Sequence, residues 1–529
     1  MIESTVLRSP TRPIPFAAAA VFLRIAWFAL PGVRSASGGQ GTKSILNRRN
    51  MGNAGPTPEA FPARRRLLQW TAAGVAALTF GGGCSLMRGA APRRKPNVIL
   101  IFVDDQGYGE LGVYGQKQIS TPSIDSIARN GVRFTDGYVT APLCIPSRAG
   151  LLIGRYQSRF GCENALPPQE GLPREEPTLA ERLKSLGYAT GMVGKWHLGT
   201  KEGQRPIDRG FDEFFGFLGG GHFYLPGKHP PGAFYRALSW PILRGDQLVD
   251  EKEYLTDAFG REAVSFIDRH RDEPFFLYLP FNALHVVLQA TEKYLKRFPE
   301  IPEGTPRRTY AAMTASLDDA VGNILAAVRR NGLEQHTLIF YISDNGGHPM
   351  ANTSRNDPLR GRKGQFYEGG IRIPYLMQWK GVVPAGVVYH QPVISLDVYA
   401  TALAAAGGAM PTERKLDGVN LVPYVQAKNT APPHESLYWR FVDKRALRMG
   451  DWKLVQEDDS RSPELYNLAN DIGETKDLVK EMPEKVRQME QVYEAYDEQM
   501  EDPRWLNIFT IARLKREGKY PLKHMRKDW

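Results

Sequence analysis

The chain has 529 residues, 42% of them hydrophobic, with 68 lysines and arginines against 57 aspartates and glutamates and a formal net charge of +11. Residues 1–95 hold 14 basic and 2 acidic side chains, a net of +12, so the remaining 54 basic and 55 acidic residues are close to neutral. The basicity therefore belongs to the leader, and nucleic acid is excluded as a partner. The length suits one large α/β domain plus a smaller one, and three cysteines (Cys84, Cys144, Cys162) are too few for a disulfide framework.

In chain order, the first apolar run, Ile14 to Leu30, is interrupted by Arg24 and reads as a poor transmembrane helix. Met51 is the more natural start, and residues 1–50 read as an upstream artefact. Arg64-Arg65-Arg66-Leu67-Leu68, the apolar stretch Trp70 to Phe80 and Gly81-Gly82-Gly83-Cys84 together resemble a twin-arginine export signal at about 64–84. The segment is short for a bilayer span, which favours a removed leader over an anchor helix. Cys84 after small residues is a candidate for lipidation, although Gly81 stands where a Leu-like residue is usual. The expectation is an exported protein, periplasmic or lipid-anchored, touching a membrane only through that anchor.

The globular part begins after Arg93-Arg94-Lys95 with a buried-strand signature, Asn97 to Val103. Apolar runs recur at Ala189–Val193, Phe275–Leu279 and Leu338–Ile342. Between them lie amphipathic helical stretches at Ser123–Asn130, Thr178–Leu186, Thr256–Arg269 and Arg308–Asn331. This alternation predicts an α/β fold with a large, mainly parallel sheet covered by helices on both faces. The Pro/Gly-rich stretch Phe217–Gly232 predicts a long loop. Beyond about Thr430 the texture changes to short antiparallel strands at Leu437–Phe441, Ala446–Met449 and Trp452–Gln456, then a charged helix over Glu481–Glu501. The domains expected are thus a leader over 1–95, a catalytic domain over 96–430 and a C-terminal α+β subdomain over 431–529.

Four apolar strands end in chemically capable residues: Asp104-Asp105, then Lys195 and His197, then Asn282 and His285, then Asp344-Asn345. In open α/β sheets, sites form beyond the carboxyl ends of strands, so these groups should converge. Each has a bland reading, an Asp as a cap or turn residue and a lone His as a satisfied structural group. Asp104, Asp105, Asp344 and Asn345 offer hard oxygen ligands, suited to Ca²⁺ or Mg²⁺ rather than zinc or copper. Lys195 and Lys363 could hold an anionic group, and a histidine is needed to protonate a departing oxygen.

The run Cys144-Ile145-Pro146-Ser147-Arg148-Ala149-Gly150-Leu151-Leu152-Ile153-Gly154-Arg155 resembles the first signature of the type I sulfatases of the alkaline-phosphatase superfamily. Gly187 to His197, with Gly194-Lys195-Trp196-His197 at its end, resembles the second. Leu359-Arg360-Gly361-Arg362-Lys363-Gly364 followed by Glu368-Gly369-Gly370-Ile371-Arg372-Ile373-Pro374 is a third familiar block. Ile145 stands where a small residue is usual and Ile153 where Thr is usual. The resemblance implies an alkaline-phosphatase-like fold from about Lys95 onward and conversion of Cys144 to formylglycine (3-oxoalanine) by a maturation enzyme, a necessary partner. A thiol would have no internal way to release sulfate, whereas an aldehyde hydrate has one hydroxyl to attack sulfur and another to expel the product.

The resemblance further implies that Asp104, Asp105, residue 144, Asp344 and Asn345 bind Ca²⁺, with Mg²⁺ the lesser fit. Arg148 would hold the formylglycine, Lys195 would bridge toward sulfate, and Lys363 would be a sulfate ligand. His197 would act as the base and His285 as general acid or sulfate ligand. His222, in Gly219-Gly220-Gly221-His222, is a candidate for substrate recognition, with an ordinary loop histidine as the alternative. The expected activity is hydrolysis of a sulfate ester on a small molecule or, by class, a glycan. A phosphonate monoester or phosphodiester hydrolase is the second reading, though those relatives usually carry Asp-His where this chain has Asp344-Asn345. A sulfated-glycan-binding pseudoenzyme is the third, should Cys144 stay unmodified.

Overall fold

A computed structural model describes residues 94–529 apart from 165–170, 228–231, 233–235, 237, 459–460, 505, 507–510, 513–514 and 519–529. The export-signal stretch, Cys84 and the 14–30 run lie outside the described residues. In chain order the strands are β1 (Asn97–Val103), β2 (Val132–Phe134), β3 (Gly137–Tyr138), β4 (Ala189–Lys195), β5 (Glu213–Phe217) and β6 (Ile242–Arg244). They continue with β7 (Gln247–Val249), β8 (Phe275–Pro280), β9 (Thr337–Ser343), β10 (Tyr375–Gln378), β11 (Val387–Tyr389) and β12 (Val393–Ile394). The C-terminal strands are β13 (Leu437–Phe441), β14 (Lys444–Met449), β15 (Trp452–Gln456) and β16 (Glu464–Asn467).

Ten of these form one sheet in the order β11-β2-β10-β9-β1-β8-β4-β5-β6-β7. Its centre, β9-β1-β8-β4-β5, is parallel throughout. The flanking pairs β9–β10, β10–β2, β5–β6 and β6–β7 are antiparallel. Every residue of β1 is buried because both faces are covered. Val98, Leu100 and Phe102 enter the core on one face, and Ile99, Ile101 and Val103 the core on the other. Each such apolar side chain contributes about 1.5–3 kcal/mol on burial.

The helices Leu255–Arg269 and Pro306–Arg330 pack against each other on the second face. Two helix starts have a local cause in a side-chain cap. Thr178 and Glu181 form a reciprocal capping box ahead of Leu179–Ser185. Thr305 accepts from the Arg308 N–H, with Pro306 in the first turn. No helix among the described residues is long and apolar enough to cross a membrane.

The smaller sheet, β13-β14-β15-β16, is antiparallel throughout. Trp439 of β13 is fully buried and donates its indole N–H to the Val139 carbonyl at 2.7 Å. Lys453 of β15, also fully buried, lies 2.8 Å from both Glu368 and Glu474. Burial opposes ionisation of Glu368, but Lys453, Arg372 and Arg448 outweigh it and hold the carboxyl at about 2. The small sheet thus buttresses the short helix Glu368–Ile371, and with it the turn that carries Lys363. The expected fold class is the one observed.

Candidate active site

The carboxyl ends of β1, β9, β8 and β4 are neighbours in the sheet, and the residues that follow them meet there. Asp104 and Asp105 leave β1, with the Asp104 N–H bonded to Ala283 O and the Asp105 N–H to Asp344 Oδ1 at 3.1 Å. Asn345 donates from Nδ2 to Asp105 Oδ1 at 2.8 Å. From β4, Lys195 Nζ reaches Asp104 Oδ2 at 2.5 Å, both side chains being fully buried. Lys363 Nζ lies 2.5 Å from Asp105 Oδ1.

Cys144 is the first residue of a helix, Cys144–Ile153, entered from an extended Leu143. The Ser147 hydroxyl fixes that entry by donating to the Ala141 carbonyl at 2.7 Å. Arg148, one turn on, shares the face of Cys144. Its fully buried guanidinium pairs with Asp344 at 2.8 Å and Asp104 at 3.4 Å. The thiol of Cys144 is partly exposed and lies in the field of both Arg148 and Lys363.

Asp105 and His197 are two of six described non-glycine residues with left-handed backbone, at φ 58° and 61°. Such conformations persist only where the surroundings impose them, and they cluster at functional sites. His285 Nε2 stands 3.9 Å from Asp105 Oδ2, and its side chain is 18% exposed. Burial, reinforced by Lys195 and Arg148, holds the His197 imidazole well below its usual range. Burial also lowers His285, although Asp104 and Asp105 pull the other way. Both rings are therefore neutral near pH 7 in the free site.

Burial and the neighbouring Asp104 raise the Asp344 carboxyl to about 7 even beside Arg148. Three crowded carboxylates thus carry an electrostatic load that a bound cation would relieve. Asp104 Oδ1 and Asn345 Oδ1 are buried with no hydrogen-bond partner among the described residues. Asp104, Asp105 and His285 bring ligand atoms within 4.8 Å of one another and can hold a metal ion. Hard oxygens left unsatisfied in this way fit a divalent cation of the Ca²⁺ or Mg²⁺ type.

His222 is partly buried at the edge of this cluster. Its Nδ1 lies 2.6 Å from the Phe223 carbonyl, and Asn282 Nδ2 reaches its carbonyl oxygen at 3.4 Å. His348 was not foreseen from sequence. It follows Gly346-Gly347, and burial, with Lys363 and Arg362 acting against Asp105, holds its imidazole below the usual range. Its signal, a histidine three residues after Asn345, is indistinguishable in sequence from an ordinary loop residue.

A parallel sheet that gathers hard oxygen donors, buried cations and two neutral histidines at the carboxyl ends of its central strands suits chemistry on an anionic ester. Residues 96–409 match the family model described as Sulfatase, and residues 362–504 match N-sulphoglucosamine sulphohydrolase, C-terminal. The chain belongs to the type I sulfatases of the alkaline-phosphatase superfamily, enzymes acting on sulfate esters. It is similar to Arylsulfatase J of Mus musculus, 34% identical over 397 residues covering 69% of this chain and 65% of that protein, just under two thirds of its length. It is likewise similar to N-acetylgalactosamine-6-sulfatase of Sus scrofa, 36% identical over 389 residues, 68% of this chain and 71% of that one. Among solved structures, Ps i-CgsB in complex with k-i-k-neocarrahexaose superposes with a TM-score of 0.76 at 36% identity, covering 81% of this chain and 98% of that one.

Proposed function

We propose that this protein hydrolyses a sulfate monoester on a glycan, using formylglycine made from Cys144 and a Ca²⁺ ion. The observation that carries the reading is the placement of Cys144 at a helix start, one turn from Arg148, whose buried guanidinium pairs with Asp104 and Asp344. Asp104, Asp105, residue 144, Asp344 and Asn345 would hold the cation. The hydrated aldehyde would supply the nucleophilic hydroxyl, and the cation would favour its ionised form and polarise sulfate oxygens.

The chain's own residues account for the rest. Arg148 orients residue 144 while neutralising Asp344. Lys195 and Lys363 turn toward the sulfate oxygens. His197, neutral and against the glycine loop, accepts a proton as base. His285 is neutral in the free site, and the arriving negative charge of the ester favours its protonated form, ready to give a proton to the leaving oxygen. Asn345 supports the sulfatase reading over a phosphonate or phosphodiester hydrolase, where histidine is usual.

A glycan substrate is supported by the names of two relatives, one an N-acetylgalactosamine-6-sulfatase and one crystallised with a neocarrahexaose. The leader supports export to the periplasm or a lipid anchor at Cys84, and His222 is read as a substrate contact.

The test is the mass of the tryptic peptide containing Cys144, from protein expressed with and without a formylglycine-generating enzyme. A loss of about 18 Da, thiol to aldehyde, is expected with that enzyme present. An unmodified thiol under those conditions, with sulfated oligosaccharides bound but not cleaved, would replace this reading with the pseudoenzyme.

A further inference from the structure

Around Cys144, Asp104, Asp105 and Asp344 are matched by Arg148, Lys195 and Lys363. Arg362 stands outside that balance. Its side chain is partly buried, yet among the described residues no ion pair or hydrogen bond engages its guanidinium. Its neighbours in the same block are all engaged. Arg360 lies 3.9 Å over the Tyr367 ring and bonds the Tyr466 hydroxyl at 2.8 Å, and Arg372 pairs with Asp136 and Glu368.

The backbone holds Arg362 in place. Gly361 and Gly364, left-handed at φ 89° and 88°, bracket the turn. The Lys363 N–H donates to Gly347 O at 3.1 Å, the Gly364 N–H to Pro142 O at 2.9 Å, and the Gln365 N–H to Arg362 O at 3.0 Å. The turn is thus pinned between the loop that follows Asn345 and the loop that leads into Cys144. Lys363 faces inward to Asp105. The Lys363 N–H bond to Gly347 O brings Arg362 alongside His348, the next residue of that loop, and the His348 imidazole lies within electrostatic reach of Asp105, Lys363 and Arg362 together.

We infer that Arg362, with His348 beside it, forms a second anion subsite next to the scissile sulfate, taking a further sulfate or a carboxylate of the same substrate. The inference rests on the sulfate-ester reading above. With the three carboxylates already matched, the two charges of a divalent cation would be met by the sulfate monoester and the ionised hydrate, which leaves Arg362 as the uncompensated charge. A half-buried arginine has lost part of its hydration without gaining a partner, and a planar guanidinium is suited to fork onto sulfate or carboxylate oxygens. His348, neutral near pH 7, adds a hydrogen-bonding group rather than further charge.

The test uses the full chain carrying Cys144→Ser, which binds without turnover, with binding measured by calorimetry. The probes are matched disaccharides from galactosaminoglycans and galactans carrying one sulfate, two sulfates, or one sulfate and a uronate. The dianionic probes should bind about tenfold tighter or more than the monosulfated ones, as for a hydrogen bond to a charged group. Adding Arg362→Ala should erase that preference and flatten its salt dependence, while Arg362→Lys restores part of it. Whichever dianion shows the preference identifies sulfate or carboxylate as the second group.

Thermal melting controls for folding, which loss of an unpaired side chain should leave intact. The inference is overturned if the parent shows no preference or binds none of the probes, or if Arg362→Ala retains the preference. Assay of matured wild-type protein on the same probes separates the two readings. Cleavage without Arg362 dependence sinks the subsite alone. Arg362-dependent binding with no cleavage of any probe sinks the sulfatase reading and leaves the subsite standing.

Discussion

An alanine at Gly220 would place its Cβ 2.5 Å from Nε2 of His197, 2.7 Å from Cε1 and 3.3 Å from Cδ2. Ordinary contact begins near 3.4 Å, so the ring would have to retreat by about 0.9 Å. It has little freedom to do so. The His197 backbone is left-handed at φ 61°, its N–H is bonded to Leu218 O at 3.1 Å, and the preceding Trp196 is fully buried. Overpacking of this kind costs about 1–3 kcal/mol of stability. A displacement of about 1 Å from reactive geometry costs on the order of 10²-fold in rate.

For matured Gly220→Ala we expect kcat on a chromogenic aryl sulfate to fall about 10²-fold with little change in KM, since proton transfer rather than ester binding is displaced. The urea midpoint should fall modestly. Gly221→Ala is the control. There the new Cβ meets the tip of Leu238 at 2.5 Å but only ordinary contact with His285 at 3.6 Å. Leucine can rotate, so kcat should stay within about threefold. Retention of wild-type kcat by Gly220→Ala, with conversion at residue 144 verified by mass, would refute the role given to His197. Equal losses in both variants would show general damage to the loop instead.

Two further outcomes follow from the charge distribution. Ca²⁺ added to chelator-treated protein should raise the thermal midpoint, by an amount equivalent to about 2.7 kcal/mol at a hundredfold excess over Kd, and Asp104→Ala should abolish the response; a shift that survives this substitution would place the ion elsewhere. His434, on the segment leading into β13, has its Nε2 2.9 Å from Asp397 Oδ1; burial lowers its pKa, but Asp397 outweighs burial and the net shift is upward. A raised native pKa gives stability that is fully present below the unfolded value near 6.5 and lost as pH rises through the native one. Urea unfolding from pH 5.5 to 9 should therefore show a decline in this window that His434→Gln removes.

The parallel centre of the sheet was legible because strands buried on both faces read as continuous apolar runs. β1 is expected over Asn97–Val103 and found there, while β8 extends one residue beyond its expected end and β9 one residue beyond each of its expected ends. Helices with one apolar face, such as Pro306–Arg330, were equally visible. Three groups of elements were not. The Cys144–Ile153 helix is buried at every residue but the first, so it has no polar face to mark a period, and it contains Pro146 and Gly150. β2 and β10 are short antiparallel additions whose place is set by pairing partners distant in sequence. β6 and β7 are three residues each, below the length at which alternation is readable.

The same distinction separates the reacting centre from its surroundings. Asp104, Asp105, Lys195 and Asp344 stand at or just after strand ends, so their convergence follows from topology alone, and residue type then indicates the chemistry. Arg362 and His348 owe their positions to bonds between loops, chiefly Lys363 N–H to Gly347 O and Gly364 N–H to Pro142 O, which no local pattern announces. Convergence of hard oxygen ligands and cations can therefore be read from strand ends, while sulfate as the group acted on came from the resemblance of the Cys144–Arg155 run to a sulfatase signature. The groups proposed here to choose among sulfated molecules sit on turns whose course is decided by tertiary contacts. That is why the reaction class was legible in this sequence and the substrate was not.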